Sequence, residues 1–239
     1  MQPPSLLGLL AFGDSITNGG GELQWGVALQ SWAQWTARGL GLPFTNHATD
    51  GARARDVVGA QIPAFERTTA RPEARYDVGC LYIGVNDVRA LDWDADAFAA
   101  DHGAAMAFLA GRCQRVLTLT APLDLGRPRA GAKVAELNHA IARAAREHGG
   151  LVLDLSGFGA RNHVMADHVH PTAFGQIAIA RRALAVLARD GMTVRADPAR
   201  LISYRPTRWG RLRGDVTYAY RHAKVTARSL ALQAAHRHG

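Results

Sequence analysis

The feature that most constrains this 239-residue chain is the alternation of short apolar runs with longer segments of helical periodicity. Strands joined by crossover helices pair in parallel, so this alternation predicts βαβ units and a parallel sheet. The apolar runs hold few polar residues, which is typical of strands covered on both faces. The sequence therefore predicts an α/β protein: a three-layer αβα sandwich around a five-stranded parallel sheet.

The predicted elements follow one another through most of the chain. Strands are expected over residues 6–12, 44–47, 78–84, 116–121 and 151–155. Helices are expected over residues 26–38, 53–62, 94–110, 133–148 and 171–188. Pro63 is expected to end the second of these helices, and Pro171 suits the first turn of the last one.

Composition excludes the disordered and fibrous classes, because 48% of the residues are hydrophobic and 20% are charged. The first apolar run has no Lys or Arg before it and continues directly into Gly13, so it indicates a core strand rather than a secretory signal. No stretch is long and apolar enough to cross a bilayer, and we expect a cytoplasmic protein. Cys80 and Cys113 lie in apolar surroundings and are expected to be buried free thiols.

Residues that could take part in catalysis follow several predicted strands. Ser15 follows the first strand, Gly51 the second and Asn86 the third, while Asp167 and His170 lie beyond the fifth. Parallel strands end at the same edge of a sheet, and ligands bind in the crevice at that edge. We therefore expect these five residues to face one crevice.

Each of these residues also has an ordinary structural explanation. Ser15 fits a nucleophile at a strand-to-helix turn, but it equally fits a helix N-cap. Asp167 and His170 fit a carboxylate that orients a base, or a closed loop beside a surface histidine. Gly51 and Asn86 fit oxyanion donors, or common turn residues. Taken singly, no position decides between the catalytic and the structural explanation.

Together, four blocks in this order resemble the SGNH hydrolases, also called the GDSL esterases and lipases. The blocks are Gly-Asp-Ser-Ile-Thr-Asn-Gly at 13–19, Asn-His-Ala-Thr-Asp-Gly-Ala at 46–52, Gly-Val-Asn-Asp at 84–87 and Asp-His-Val-His-Pro at 167–171. The resemblance covers about residues 6–188, and residues beyond 189 have no counterpart in the family pattern.

The resemblance implies a flavodoxin-like sandwich and a serine-dependent carboxylic-ester hydrolase that acts through an acyl-enzyme. It implies that Ser15 is the nucleophile, His170 the general base and acid, and Asp167 the residue that orients His170. The oxyanion hole would combine the backbone N–H groups of Ser15 and Gly51 with the Asn86 side chain. The expected substrate is a small ester, and no cofactor or metal is expected, because the histidines show no metal-ligand spacing.

Two other kinds of function stay open at this point. An acyltransferase would use the same acyl-enzyme to modify a sugar or lipid alcohol, and the sequence does not separate it from a hydrolase. A binding protein with a decayed site is disfavoured, since every residue of the four blocks is present. The oligomeric state is left open.

The basic excess of the chain, formally +8, lies in its C-terminal part. Residues 1–194 contain 18 basic and 18 acidic residues, whereas residues 195–239 contain 10 basic and 2 acidic ones. We therefore predict a hydrolase domain over 1–194 and a basic extension over 195–239, with a helix that begins at Asp215 as its N-cap.

One face of that predicted helix is apolar, and three interpretations follow. We favour a helix that docks on the domain through its apolar face while its charges stay solvated. The main alternative is a basic amphipathic helix on an anionic membrane surface, and nucleic-acid binding is the least favoured.

Overall fold

The computed structural model describes residues 6–21, 27–69, 73–126, 128–160, 162–203 and 207–237. Within these ranges, five strands form a single sheet. They are β1 (Leu9–Gly13), β2 (Phe44–Asn46), β3 (Tyr76–Tyr82), β4 (Cys113–Leu119) and β5 (Leu151–Leu153). All five residues of β1 are buried, as the apolar sequence of this strand predicts.

The sheet is parallel throughout, and its strand order is β2-β1-β3-β4-β5. This is the flavodoxin-like order, in which the direction of strand addition reverses between β1 and β3. In β1, Leu10 is aligned with Thr45 on one side and Gly79 on the other. The crevice at this reversal point lies above the C-terminal ends of β1 and β3, where Ser15 and Asn86 follow their strands.

The helices cover both faces of the sheet. They are α1 (Ser15–Asn18), α2 (Trp32–Leu40), α3 (Ala54–Asp56), α4 (Ile62–Thr68), α5 (Val85–Arg89), α6 (Ala95–Arg112), α7 (Lys133–Glu147), α8 (Ala173–Arg189) and α9 (Arg208–Arg237). A π-helix over Val57–Gln61 joins α3 to α4, and a 3-10 turn spans Pro198–Arg200. Helix α2 packs against α8 on one face, and α6 packs against α7 on the other.

The predicted three-layer α/β sandwich is confirmed, although several predicted boundaries were wrong. The first long helix begins at Trp32, because Ser31 caps it by accepting a hydrogen bond from the Gln34 N–H; the predicted start at residue 26 lies outside the described residues. Pro63 does not end a helix: it lies in the first turn of α4, directly after the π-helix, and α4 continues through it to Thr68.

The last helix of the sandwich also begins later than predicted. Thr172 caps α8 by accepting a hydrogen bond from the Gly175 N–H, so Pro171 lies outside the helix. Pro171 instead forms an isolated antiparallel β-bridge with Val164. Both cysteines are free and buried, as predicted.

The C-terminal helix differs most from the prediction. Helix α9 begins at Arg208 rather than at Asp215, and it continues through Gly210 and Gly214. Up to residue 227, where burial is described, the predicted docking of its apolar face is not observed, since Val216 is 62% exposed and Tyr220 is 67% exposed.

Candidate active site

Ser15 is the first residue of α1 and directly follows the turn at the end of β1. The N-cap is Asp14 rather than Ser15, because an Asp14 carboxylate oxygen accepts a 2.9 Å hydrogen bond from the Ile16 N–H. The Ser15 hydroxyl is therefore not needed as a cap. Its Oγ lies 2.9 Å from Nε2 of His170, across 155 residues of sequence.

The turn before Ser15 accepts only glycine. Gly13 has a φ of 152°, and a Cβ at this position would clash with the Tyr82 carbonyl oxygen and lie 2.7 Å from the Thr17 hydroxyl. The close approach of β1 to β3 at this point leaves no room for a side chain. Gly13 thus allows Ser15 to emerge at the reversal point of the sheet.

Asp167 and His170 lie in the loop between β5 and α8. The second imidazole nitrogen of His170, Nδ1, lies 2.7 Å from Oδ2 of Asp167. The other carboxylate oxygen of Asp167 accepts hydrogen bonds from the backbone N–H groups of Val169 (2.9 Å) and His170 (3.1 Å). The three-residue spacing therefore closes a turn in which the same carboxylate shapes the loop and fixes the ring of His170.

The electrostatics of this pair favour an imidazole that takes up a proton readily. The hydrogen bond to Asp167 raises the pKa of His170 above its usual value, against the lowering effect of burial, and the charge of Asp14 adds to the rise. Burial acts to raise the pKa of Asp167, but its hydrogen bonds from the His170 ring and the loop backbone outweigh burial and leave that pKa below its usual range. Asp167 is thus a carboxylate beside His170 at neutral pH.

The loops that carry Gly51 and Asn86 are joined to each other. The Asn86 side-chain amide donates a 3.0 Å hydrogen bond to the carbonyl of Ala52, which follows Gly51. The Asp87 carboxylate accepts from the Ala54 N–H at 3.1 and 3.2 Å, and burial raises the pKa of Asp87 to about 6. These bonds hold the Asn86 amide beside the loop of Gly51.

The Gly51 loop is also fixed to the turn that carries Ser15. The Thr49 N–H donates to the Gly13 carbonyl at 3.2 Å, and the Asn18 amide donates to the Asp50 carboxylate at 2.9 Å. Gly51 itself has a φ of 75°, which glycine adopts without strain. The structure therefore brings together the loops of all five residues that the sequence singled out.

Two buried glutamines that the sequence analysis missed hold the nucleophile turn from opposite sides. Gln61 accepts a hydrogen bond from the Gly13 N–H (3.0 Å) and donates to the Gly13 carbonyl (2.7 Å) and the Thr49 hydroxyl (3.0 Å). Gln61 is the last residue of the π-helix, and such insertions are frequent at functional sites.

Gln176 of α8 binds the other side of the same turn. Its amide nitrogen donates to the carbonyls of Ile16 (3.0 Å) and Gly20 (3.2 Å), and its oxygen accepts from the Trp32 N–H (2.7 Å). Gln176 is fully buried and lies on the same helix face as Ala173 and Ala180, which are also buried. A lone amide on an apolar helix face is the signal that would have identified it.

Asp14 is another carboxyl group close to His170, and unlike Asp167 it is fully buried. It is 0% exposed, and its Oδ2 has no hydrogen-bond partner among the described residues. Burial raises the pKa of Asp14 to about 7, against the lowering effects of the Ile16 N–H and of His170. Asp14 therefore titrates near neutral pH while it caps the helix that carries Ser15.

The loop of Asp167 and His170 contains a strained residue. Among the described non-glycine residues, His168 is the one with a positive φ, at 55°. Its Nδ1 lies 2.9 Å from Oδ2 of Asp124, and its carbonyl accepts a 2.8 Å hydrogen bond from the Gly126 N–H. The segment that follows β4 thus holds His168 in place beside the catalytic candidates.

The described residues show no group of three or more His, Cys, Asp or Glu side chains arranged to hold a metal ion. In the same part of the chain, none of the helices combines the length and the apolar character that a bilayer crossing requires.

A parallel sheet of flavodoxin-like order, with a hydrogen-bonded Ser-His-Asp series at its reversal point, defines a class of α/β hydrolytic enzymes. Comparison with known families matches residues 11–178 to the GDSL-like Lipase/Acylhydrolase family. The chain belongs to this family and is a hydrolase that acts on esters. Comparison with curated proteins gives no significant match.

Solved structures share the fold at low sequence identity. An acetylxylan esterase from Geobacillus stearothermophilus has a TM-score of 0.61 and 19% identity, over 82% of this chain and 100% of its own. A member of the lipolytic G-D-S-L family from Veillonella parvula has a TM-score of 0.60 and 24% identity, over 76% and 98%. An alpha/beta hydrolase enzyme from the metagenome of Lake Arreo, Spain, has a TM-score of 0.59 and 22% identity, over 75% and 94%.

Proposed function

We propose that this protein is a carboxylic-ester hydrolase in which Ser15 forms an acyl-enzyme, His170 transfers the proton and Asp167 orients His170. The observation that carries this proposal is the continuous series from Ser15 Oγ to His170 Nε2 (2.9 Å) and from His170 Nδ1 to Asp167 Oδ2 (2.7 Å). Both distances are those of good hydrogen bonds. Ser15 at the start of α1 is thereby joined to the loop that holds both Asp167 and His170.

The proton transfers follow from this series. Ser15 attacks the ester carbonyl carbon while its hydroxyl proton passes to Nε2 of His170. The Asp167 carboxylate accepts from the Nδ1–H, which keeps Nε2 free as the base and stabilises the imidazolium that forms. His170 then gives the proton to the leaving alcohol, and it next activates the water that releases the acid.

The oxyanion of the tetrahedral intermediate would be stabilised by the backbone N–H groups of Ser15 and Gly51 and by the Asn86 amide. Support comes from the hydrogen bonds that join the Asn86 and Gly51 loops to each other and the Gly51 loop to the Ser15 turn. Donors fixed before the reaction need little reorganisation when negative charge develops on the substrate oxygen.

Hydrolysis is favoured over transfer to another alcohol by the exposure of the site. The side chains of His170 and Asp167 are 31% and 32% exposed, so water reaches the groups that would activate it. An acyltransferase has to keep water from the same acyl-enzyme. Transfer to a sugar or lipid alcohol remains the alternative, and a structural neighbour described as an acetylxylan esterase supports acetylated sugars as one substrate class to test.

The nucleophile can be tested by labelling and by substitution. A fluorophosphonate should modify Ser15, as read by mass spectrometry, and Ser15→Ala should abolish both labelling and turnover of a panel of aryl esters from acetyl to palmitoyl. Ser203→Ala, at an exposed serine beyond the family match, serves as the matched control. Turnover that survives in Ser15→Ala at the wild-type rate would refute the proposal.

The reaction type can be read from the products. Addition of acceptor sugars or alcohols to the same assays should leave the free acid as the main product. If acylated acceptor becomes the main product and free acid is minor, the acyltransferase alternative is correct.

A further inference from the structure

Helix α9 exposes an unusual combination of side chains. Trp209, Leu212, Val216 and Tyr220 are 73%, 52%, 62% and 67% exposed. No residue of 207–227 whose burial is described is buried. Exposed large apolar side chains that cluster on a surface mark interaction sites.

These four side chains share one face of the helix. They lie at spacings of three, seven and eleven residues from Trp209, which return to nearly the same direction at 3.6 residues per turn. We call this set, Trp209, Leu212, Val216 and Tyr220, the apolar face of α9. An exposed tryptophan and tyrosine on such a face are typical of residues that lie at the boundary between lipid and water.

Basic side chains border the apolar face. Arg213 lies four residues after Trp209, and Lys224 lies four residues after Tyr220, so each is a helical neighbour of an aromatic residue. Residues 208–237 contain seven basic residues and one acidic residue, Asp215. The charge on α9 is therefore complementary to a negatively charged partner.

We propose that α9 binds the surface of an anionic lipid bilayer, with its apolar face inserted among the headgroups and its basic residues on lipid phosphates. The combination of an apolar face and bordering basic residues favours lipid over other partners. A nucleic acid would satisfy the basic residues, but it offers nothing to cover Leu212 and Val216. A second protein copy would cover the apolar face but would bring the same positive charge against it.

The apolar face of α9 lies outside the part of the chain that matches the ester-hydrolase family. That match ends at residue 178, and α9 begins at Arg208. The lipid surface therefore does not depend on the proposed acyl-enzyme chemistry, and binding can be measured with the Ser15→Ala variant.

The test is vesicle co-sedimentation of the full chain. We expect binding to vesicles of phosphatidylcholine mixed with phosphatidylglycerol, much weaker binding to phosphatidylcholine alone, and loss of binding as salt is raised. Neutralising Arg208 and Lys224 to Gln should weaken binding about fivefold per charge, since each basic residue near such a surface contributes about 1 kcal/mol. Replacing Trp209 and Tyr220 with Ala should weaken it about tenfold or more.

Two control variants match these changes elsewhere on the surface. Lys133→Gln removes a charge from an exposed position on α7, and Leu91→Ala removes an apolar side chain that is 95% exposed. Both should bind vesicles as the wild type does. Equal and negligible binding of the wild type to both vesicle types would overturn the proposal, as would binding that the α9 variants leave unchanged.

Other partners of the apolar face of α9 would give different results with the same variants. If α9 is a contact between copies, light scattering will show a dimer that Trp209→Ala converts to a monomer, and the proposal fails. If it binds nucleic acid, the chain will shift a DNA duplex at a salt concentration at which it leaves anionic vesicles unbound, and the proposal fails equally.

Discussion

The side-chain amide of Gln61 forms hydrogen bonds with both backbone groups of Gly13, at 3.0 Å from its N–H and 2.7 Å from its carbonyl. Gln61 reaches this position because a π-helix ends there and turns the amide into the sheet edge. Ser15 lies two residues beyond Gly13, so the pairing fixes the start of the nucleophile turn. Gln176 fixes its other side through Ile16.

Gln61→Met should reduce kcat about tenfold or more with little change in KM, because the methionine fills the space but leaves the Ser15 turn less fixed. It also leaves buried polar groups of Gly13 with fewer partners, at about 1–3 kcal/mol per unsatisfied group. Steady-state kinetics and thermal unfolding measure the two effects. Gln114→Met, at an exposed position on β4, is the control. Unchanged kcat with a lower Tm would assign Gln61 a role in stability alone.

Asp167→Asn should lower kcat/KM by about 10²–10⁴-fold and move the acid limb of the pH profile to lower pH. The base form of His170 is the active one, so activity rises with pH through its pKa. The hydrogen bond that His170 donates to the Asp167 carboxylate is the largest cause that raises this pKa, and the negative charge of Asp167 adds to it. Asparagine removes the carboxylate and its charge. An acid limb that stays at the wild-type pH would show that the limb does not report His170.

Asp14→Asn should raise stability above pH 7 relative to the wild type and leave it nearly unchanged near pH 4. The folded chain keeps the Asp14 proton up to about pH 7, whereas the same carboxyl in the unfolded chain has the ordinary pKa of 3.8. The stability of the wild type therefore falls as pH rises from about 4 to 7. Asparagine remains a good N-cap and does not ionise. The gain is at most about 4 kcal/mol, at about 1.4 kcal/mol per pKa unit.

Denaturant unfolding of Asp14→Asn at pH 4 and pH 8 measures this difference. Asp50→Asn removes an exposed carboxyl but keeps Asp14, so this control should lose as much stability as the wild type between the two pH values. An Asp14→Asn variant that loses as much stability as the wild type between pH 4 and pH 8 would contradict the prediction.

His168→Gly should be more stable than His168→Ala by about 1 kcal/mol, because both lack the contact with Asp124 but only glycine adopts a φ of 55° without strain. Thermal unfolding of the two variants isolates the backbone cost. Equal Tm values would show that the loop relaxes to an ordinary φ once the side chain is removed.

Several features were predictable because they follow from local patterns. The buried strands are short continuous apolar runs, as expected of strands covered on both faces. The apolar residues of α7 recur about every three and a half positions, which reflects the one face that this helix buries. The predicted starts of helices were wrong where a single capping residue sets the start. Ser31 and Thr172 accept from specific backbone N–H groups, and these hydrogen bonds set the starts of α2 and α8. In the same way, Asp14 rather than Ser15 became the cap of α1.

The sequence by itself determined the α/β class, the GDSL-type blocks and the residues expected at the sheet edge, because these depend on residue types and their order. Only the tertiary structure decided that Ser15 and His170 lie 2.9 Å apart, that Gln61 and Gln176 hold the turn between them, and that the apolar face of α9 is exposed. Such contacts join residues far apart in the chain. Their geometry depends on how whole elements pack, which no local pattern specifies.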